Sequence, residues 1–304
     1  MPMTLVEASK SNKGDVQKAV TMEMFAKASD ILAAFPFDTI PGGVVKYDRE
    51  GALPGVAFRG VNESYTESTG VVNPLTDGVF IVGGDLDIDK FILATRGRQQ
   101  KAVHVSMKIK AAADAVAQKI IKGDNTSDPR EFDGLQSRLT GSQLITNSGS
   151  SGGAALSMAK LDEAIDATDS PTHLIMSKAM RRNIRVYLRG VGSIAEGRDD
   201  FGRPQMTYND LPILTTNNGS TEALPFTEAN SGGGSAVGTS IYVVSLGANR
   251  LQGIQNGEMQ VTDFGEVQDS PVERVRIEWY MGIALFHGRA ATRLYSITNA
   301  TAVA

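Results

Sequence analysis

The sequence predicts an α+β fold. Three observations carry that expectation. One long amphipathic helix stands near the middle of the chain. Ahead of it lies a hairpin-like stretch that little nearby looks able to cover. Behind it a compact mixed region ends in strands that return to the earlier part of the chain. With 304 residues, 41% of them hydrophobic, the chain can bury a large core or two or three subdomains. The 32 glycines against 11 prolines point to many turns and hairpins.

Residues 1–20 are polar and without a strong period, so an N-terminal arm is expected. MEMFAKASDILAAF, residues 22–35, places Phe25, Ala28, Leu32 and Phe35 on one helical face, and Pro36 stops that helix. From Pro41 to Leu93 the character turns extended. GVAFRGV (55–61) and GVFIVGGDLDIDKFIL (78–93) read as strands flanking a polar tip, NESYTESTGVVNP, and so as one long hairpin. A hairpin with open edges is plausible where another chain covers it.

Residues 98–122 are the strongest helix. Ala102, Val105, Ile109, Ala112, Val116 and Ile120 follow spacings of three and four, and Lys101, Lys108, Gln118 and Lys122 sit off that stripe. At ~1.5 Å per residue the helix is about 37 Å long, and Gly123 is a natural stop. A short strand at 143–146, a Gly/Ser loop, and a helix over 156–167 follow. THLIMS (172–177) reads as a strand whose Ser177 caps the basic helix KAMRRNIRVYLR. RPQMTYNDLPILTT (203–216) reads as a hairpin with Asn209 and Asp210 at its turn. Residues 217–238 are loop-like, and 239–247 form a buried strand. In 271–297, Val275, Ile277 and Trp279 alternate with Arg274, Arg276 and Glu278, which predicts two long strands returning to the sheet.

Several function classes lose support from composition. The formal net charge is −4, against a protein that coats DNA. The absence of cysteine excludes disulfides, thiolate metal sites and cysteine nucleophiles. The N-terminus has no apolar core of a secretory signal, and no run approaches the ~18 apolar residues of a membrane span. Neither phosphate-loop nor dinucleotide glycine patterns occur.

Three constellations remain to be weighed. Gly149, Ser151 and Gly153 satisfy G-x-S-x-G, and GSSGG raises a serine hydrolase or amidase using Ser150 or Ser151. Such a serine needs an oriented base. Only His104, His173 and His287 exist: His104 lies in the long helix, His173 only 22 residues past Ser151, and His287, between strand-like runs, stays open as a base; a Gly/Ser joint is the stronger expectation. Asp85, Asp87 and Asp89 start like a calcium loop, but Lys90 and Arg96 occupy its sixth and twelfth positions. Arg182, Arg185 and Arg189 share one side of the basic helix, as a solvated face, a contact with acidic groups on a neighbour, or a nucleic-acid patch. No catalytic, cofactor or metal residue is assigned, and no cofactor is expected.

The succession of motifs resembles the major capsid proteins of tailed bacteriophages, the family of the Hong Kong 97-like fold. FAKASDILAAFPFDTIPGG resembles the segment leading from the N-arm, and FRGVNESYTESTGVVNP the tip of the extended loop, or E-loop. IKGDNTSDPREFDGLQSRL, with Phe132, Asp133, Gly134 and Leu135, resembles the segment after the spine helix. THLIMSKAMRRNIRVYLR with FGRPQMTYNDLPIL resembles the axial-domain helix and hairpin, and VERVRIEWYMGIALFHGRAATRL the closing strands of the peripheral domain.

The resemblance implies an N-terminal arm with a short helix over 1–40 and an E-loop over 41–93. It implies a peripheral domain over 94–154 with spine helix 98–122, an axial domain over 155–265, and closing peripheral strands over 266–304. It implies a non-enzymatic shell protein of the virion, assembled in the bacterial cytoplasm. Such a protein forms hexamers and pentamers through E-loop and N-arm contacts and encloses double-stranded DNA without reading its sequence. A separate scaffolding protein, a portal and a decoration protein are the further partners it suggests, and no membrane is involved. An encapsulin-type nanocompartment shell is the alternative on the same fold. The E-loop lysines, Lys46 and Lys90, lie away from its tip, so cross-linking is not expected. Deletion of residues 62–76 is expected to spare folding and abolish closed shells.

Overall fold

The structure is a computed structural model that describes residues 3–4, 24, 28–97, 99–192, 195–198, 204–216, 222–235 and 237–304. Phe25, most of the expected N-terminal arm and part of the 217–238 loop lie outside the described residues.

The described chain opens with β1 (Met3–Thr4) and helix α1 (Asp30–Ala34), then β2 (Pro36–Thr39). The helix ends as expected. Phe35 caps it in extended conformation, and Pro36 begins a strand rather than another turn. Ile31, Leu32 and Phe35 are fully buried.

Among the described residues two strands, β3 (Val44–Ala52) and β4 (Val71–Gly78), pair only with each other. Strand β5 (Phe80–Asp89) then runs into helix α2 (Lys90–Arg96) and the long helix α3 (Gln99–Lys122). The expected hairpin is thereby corrected. Residues 55–61 form no strand, and the 78–93 run pairs with the C-terminal region instead of with them. Its last residues are helical because Asp89 accepts a hydrogen bond from the Phe91 N–H at 2.7 Å, an N-cap that turns the chain.

The six-stranded sheet is organised around β14 (Val272–Leu285). Along one edge β14 pairs with β5, from Val272 opposite Asp89 to Met281 opposite Phe80. Along the other it pairs in turn with β13 (Gln260–Glu266) and β12 (Leu251–Gln255), and β12 continues through β2 to β1. The period of two in β14 holds. Val275, Ile277 and Trp279 are buried on one face. Arg274 and Arg276 on the other make forked contacts to Asp87 and Asp85 across the strand pair, at 2.6 to 2.8 Å.

Helix α3 lies over this sheet. Its buried residues are Ile109, Ala113, Val116, Ala117, Ile120 and Ile121, all from its C-terminal two-thirds. Ahead of them, Ala102, Val103 and Met107 are exposed. Gly123 ends the helix without a left-handed turn. A Cβ there would sit 2.2 Å from the Phe132 carbonyl oxygen, so close backbone packing is what requires glycine. Phe132 and Leu135 are buried beneath it, and the short helix α4 (Leu135–Arg138) follows.

The seven-stranded sheet has the order β6 (Leu144–Thr146), β15 (Ala291–Ile297), β11 (Thr239–Val244), β7 (His173–Met176), β10 (Leu211–Thr215), β9 (Pro204–Tyr208), β8 (Ala195–Arg198). Its two faces alternate. Ile175, Leu214, Tyr242 and Val244 join the core that also holds α1, α3 and Trp279. Leu174, Met176, Ile213, Ile241 and Val243 form a second core with helices α5 (Met158–Ala167) and α6 (Lys178–Val191). Two local expectations hold. Ser177 Oγ accepts from Met180 N at 3.3 Å, and the β9–β10 turn places Asn209 and Asp210 at φ 47° and 61°. The two closing strands do not return to one sheet: β14 joins the first and β15 the second.

Candidate assembly surface

Strands β3 and β4 stand apart because they pair from Val44 opposite Gly78 to Ala52 opposite Val71 and, among the described residues, with nothing else. VVKYDREGA half-buries Val45, Tyr47 and Arg49 and exposes the residues between them, a half-covered strand in register with the body below. The base is fastened by polar groups. Tyr47 Oη donates to Asp77 Oδ2 at 2.8 Å and lies 3.1 Å from the Leu285 carbonyl oxygen. Arg138 Nη1 meets Asp77 Oδ1 at 2.8 Å, and Arg49 donates to the Leu285 carbonyl. The Tyr47 and Phe286 rings lie 4.6 Å apart. An open cleft of about 610 Å³ separates β3 from the 286–289 turn. Sequence reading missed this anchor. Its one local signal was the alternation of Val45, Tyr47 and Arg49, while its partners are distant in the chain.

Burial and the Asp77 carboxylate push the Tyr47 phenol up to about 12. The folded state therefore retains a proton that the unfolded chain releases from about pH 10. This group's contribution is complete below about pH 10 and falls as pH rises towards 12. In Tyr47→Phe, urea midpoints measured from pH 9 to pH 12 should lose that part of the decline; an unchanged slope would refute the anchor's role.

Beyond the paired strands, residues 53–70 project with a turn at 61–62, where Asn62 takes φ 69°. Their large apolar side chains face outwards: Val56 is 96% exposed, Phe58 107%, Val61 92% and Tyr65 67%. Contacts inside the loop hold its shape. Glu63 Oε2 accepts from Gly60 N at 2.8 Å, and the Arg59 guanidinium lies 5.2 Å from the Tyr65 ring centre. Further exposed apolar side chains are Phe91 on α2 and Val103 and Met107 on α3. Exposure on this scale marks contact surface rather than ordinary solvent face.

The residues weighed for chemistry are engaged otherwise. Ser150 and Ser151 are exposed in a loop stitched to residues 230–234. Gly152 N donates to the Gly233 carbonyl at 2.9 Å, Thr146 Oγ1 lies 2.8 Å from Ser231 Oγ, and Ser231 Oγ donates to the Ser148 carbonyl at 2.8 Å. His173 Nδ1 lies against Thr172 Oγ1, His287 lines the cleft under β3, and His104 sits on α3. Gly153 takes φ +74°, and a Cβ there would lie 2.7 Å from Asn230 Oδ1 and 2.9 Å from the Ser296 carbonyl oxygen. The joint is therefore pinned rather than loose. Ser150→Ala and Ser151→Ala should leave the thermal midpoint within about 2 °C, whereas Gly153→Val should cost about 2 kcal/mol or more in urea titration.

Asp85 and Asp87 pair with arginines that hold both carboxyls below the usual range, and Asp89 caps α2. Among the described residues no group of three potential metal ligands converges, and no helix is long and apolar enough to cross a membrane. Lys90 pairs with Glu266 at 2.5 Å, and Lys46 is exposed on β3. Arg182, Arg185 and Arg189 are exposed on α6, opposite its buried Met180, Ile184 and Leu188.

No family model matches this chain, and no curated protein matches it. Solved structures do. The SrpI encapsulin of Synechococcus elongatus superposes with a TM-score of 0.68 at 13% identity over 90% of this chain and 89% of that one. The capsid of a native GTA particle gives 0.62 at 12% identity over 89% and 90%. Mycobacterium phage Bobi gives 0.60 at 13% over 91% of each. The likeness spans about nine-tenths of both partners in every case, and it is one of fold: the chain carries the Hong Kong 97-like α+β shell fold.

Proposed function

We propose that this chain is the structural subunit of a closed icosahedral shell, the head of a tailed bacteriophage. The observation that carries the reading is the projecting, uncovered 53–70 loop on a body that shares its fold with shell proteins. Strands β3 and β4 with that loop act as the E-loop, α3 as the spine helix, and residues 1–40 as the N-terminal arm. The loop of one copy lies over a neighbour, and the exposed apolar side chains of Phe91, Val103 and Met107 are of the right character to be covered in the same way.

The six-stranded sheet with α3 makes the peripheral layer, and the seven-stranded sheet the axial one. Strands β12 and β13 pair with the first sheet, and β15 with the second. Hexamers and pentamers then share one set of contacts, and many weak interfaces sum to a stable shell. Catalysis plays no part. DNA is enclosed without sequence readout, and a scaffolding protein, a portal and a decoration protein complete assembly in the bacterial cytoplasm.

A nanocompartment shell is the second reading, favoured by the encapsulin superposition at 0.68. Negative-stain microscopy and light scattering of protein expressed with and without a scaffolding partner test both. Closed particles are expected. Absorbance and mass spectrometry of their contents separate DNA from protein cargo. Homogeneous monomers or dimers under every condition overturn both readings.

A further inference from the structure

The helical face of the seven-stranded sheet carries a charge asymmetry that the shell reading does not require. Helices α5 and α6 cover the same side of that sheet, since Leu161, Ala164, Met180, Ile184 and Leu188 share one core with Leu174, Met176, Ile213, Ile241 and Val243. Opposite those buried residues the two helices differ in sign. Helix α6 carries Lys178, Arg181, Arg182, Arg185 and Arg189 and no acidic residue. Helix α5 carries Asp162, Glu163 and Asp166 against Lys160 alone, and Asp169 follows it.

Local pairing leaves much of this unspent. Lys160 Nζ meets Glu163 Oε2 at 2.6 Å, and Asp162 Oδ1 accepts from Tyr208 Oη at 2.8 Å and from Asn209 Nδ2 at 3.1 Å. Asp166, Arg182 and Arg189 are exposed and carry no ion pair among the described residues. Val186 and Val191 add apolar surface to the basic face, 49% and 63% exposed.

We infer that the basic face of α6 docks on the acidic face of α5 in a second copy of this chain. The inference rests on the shell reading, and names a contact within it. Charge complementarity selects the occupant. A surface that is basic on one helix and acidic on the next matches a copy of itself, whereas a polyanion held by α6 meets the repulsion of α5. The contact joins unlike patches, so it can run head to tail around a ring or reciprocally across a two-fold axis. Its ion pairs fix register and reject wrong alignments.

Reversal and restoration of charge test it, with assembly yield read by light scattering and microscopy. Arg182→Glu with Arg189→Glu should lower closed-particle yield at least tenfold, and so should Glu163→Lys with Asp166→Lys. All four substitutions in one chain should recover most of the yield. Raising salt from about 50 mM to about 500 mM should weaken wild-type assembly more than that of the corresponding alanine variants. Circular dichroism checks folding, and the alanine pair at the same two positions replaces any reversal that fails it.

Normal yield from either reversal, or no recovery in the fourfold variant, overturns the contact while the shell reading stands. Normal assembly with nucleic acid lost from particles of the α6 variant assigns that face to a polyanion and also overturns it. If the wild type forms only small oligomers, sedimentation velocity reads the same variants. Loss and recovery there support the contact although the shell reading falls, and a wild type that stays monomeric overturns both.

Discussion

Replacing residues 53–70 by Asn-Gly, so that Ala52 and Val71 flank a two-residue turn, should yield a folded subunit that cannot close shells. Ala52 and Val71 are already opposite each other, and Asn-Gly supplies the positive φ angles such a turn needs. Little folding energy is at stake. The loop's polar contacts are internal, among them Gly55 N to Ser68 Oγ at 2.7 Å and Arg59 Nη1 to the Glu63 carbonyl at 3.0 Å. Its apolar groups stand in solvent, with Leu53 at 78% and Phe58 at 107% exposure. The thermal midpoint should therefore stay within about 3 °C of wild type.

Assembly should respond very differently. Each of Leu53, Val56, Phe58 and Val61 offers about 1.5–3 kcal/mol if fully covered by a neighbour, and every subunit repeats the contact. Loss of several such groups exceeds what one weak shell interface can absorb. Light scattering should find only capsomers or smaller species. Closed particles at wild-type yield would remove the loop from the assembly contact. Deleting 62–76 instead would take most of β4, which spans Val71–Gly78, and would confound folding with assembly.

Elements whose cause is local were legible in the sequence. Helix α3 followed from its spacing, the α6 cap from Ser177, the β9–β10 turn from Asn209 and Asp210, and β14 from its alternation. Elements whose cause is distant were not. The pairs Arg274–Asp87 and Arg276–Asp85 join residues 187 and 191 positions apart, and the parallel pairing of β2 with β12 has no local sign. The 55–61 run misled for a physical reason. Strand propensity reports fitness for a pleated, half-covered surface, and Val56 and Phe58 have no such cover among the described residues. The serine loop misled in the opposite sense. GSSGG reads as slack, yet Gly153 is held by Asn230 and Ser296, which only the folded chain brings near.

Arg293→Leu should be among the most damaging single substitutions, at about 3–5 kcal/mol, because it strands a buried carboxylate. The Glu228 side chain is 7% exposed and that of Arg293 13%, and they meet at 3.0 Å. Ser240 Oγ donates to the same carboxylate and accepts from Arg293 Nε at 2.9 Å. The guanidinium also lies 5.4 Å from the Tyr295 ring centre. After the substitution, Glu228 keeps, among the described residues, only Ser240 and a 3.7 Å contact with Lys122 at the end of α3. That distance is too long to replace a charge-assisted hydrogen bond. The cluster ties the segment carrying Glu228 to β11 and β15, so its loss should loosen the join between that segment and the seven-stranded sheet. Urea midpoints would read the cost. Adding Glu228→Leu should return part of it, since two apolar side chains leave no stranded charge, and the double-mutant coupling should exceed about 1 kcal/mol. A cost below about 1 kcal/mol for Arg293→Leu, or strict additivity in the pair, would mean that solvent reaches this carboxylate and that the join does not depend on the ion pair.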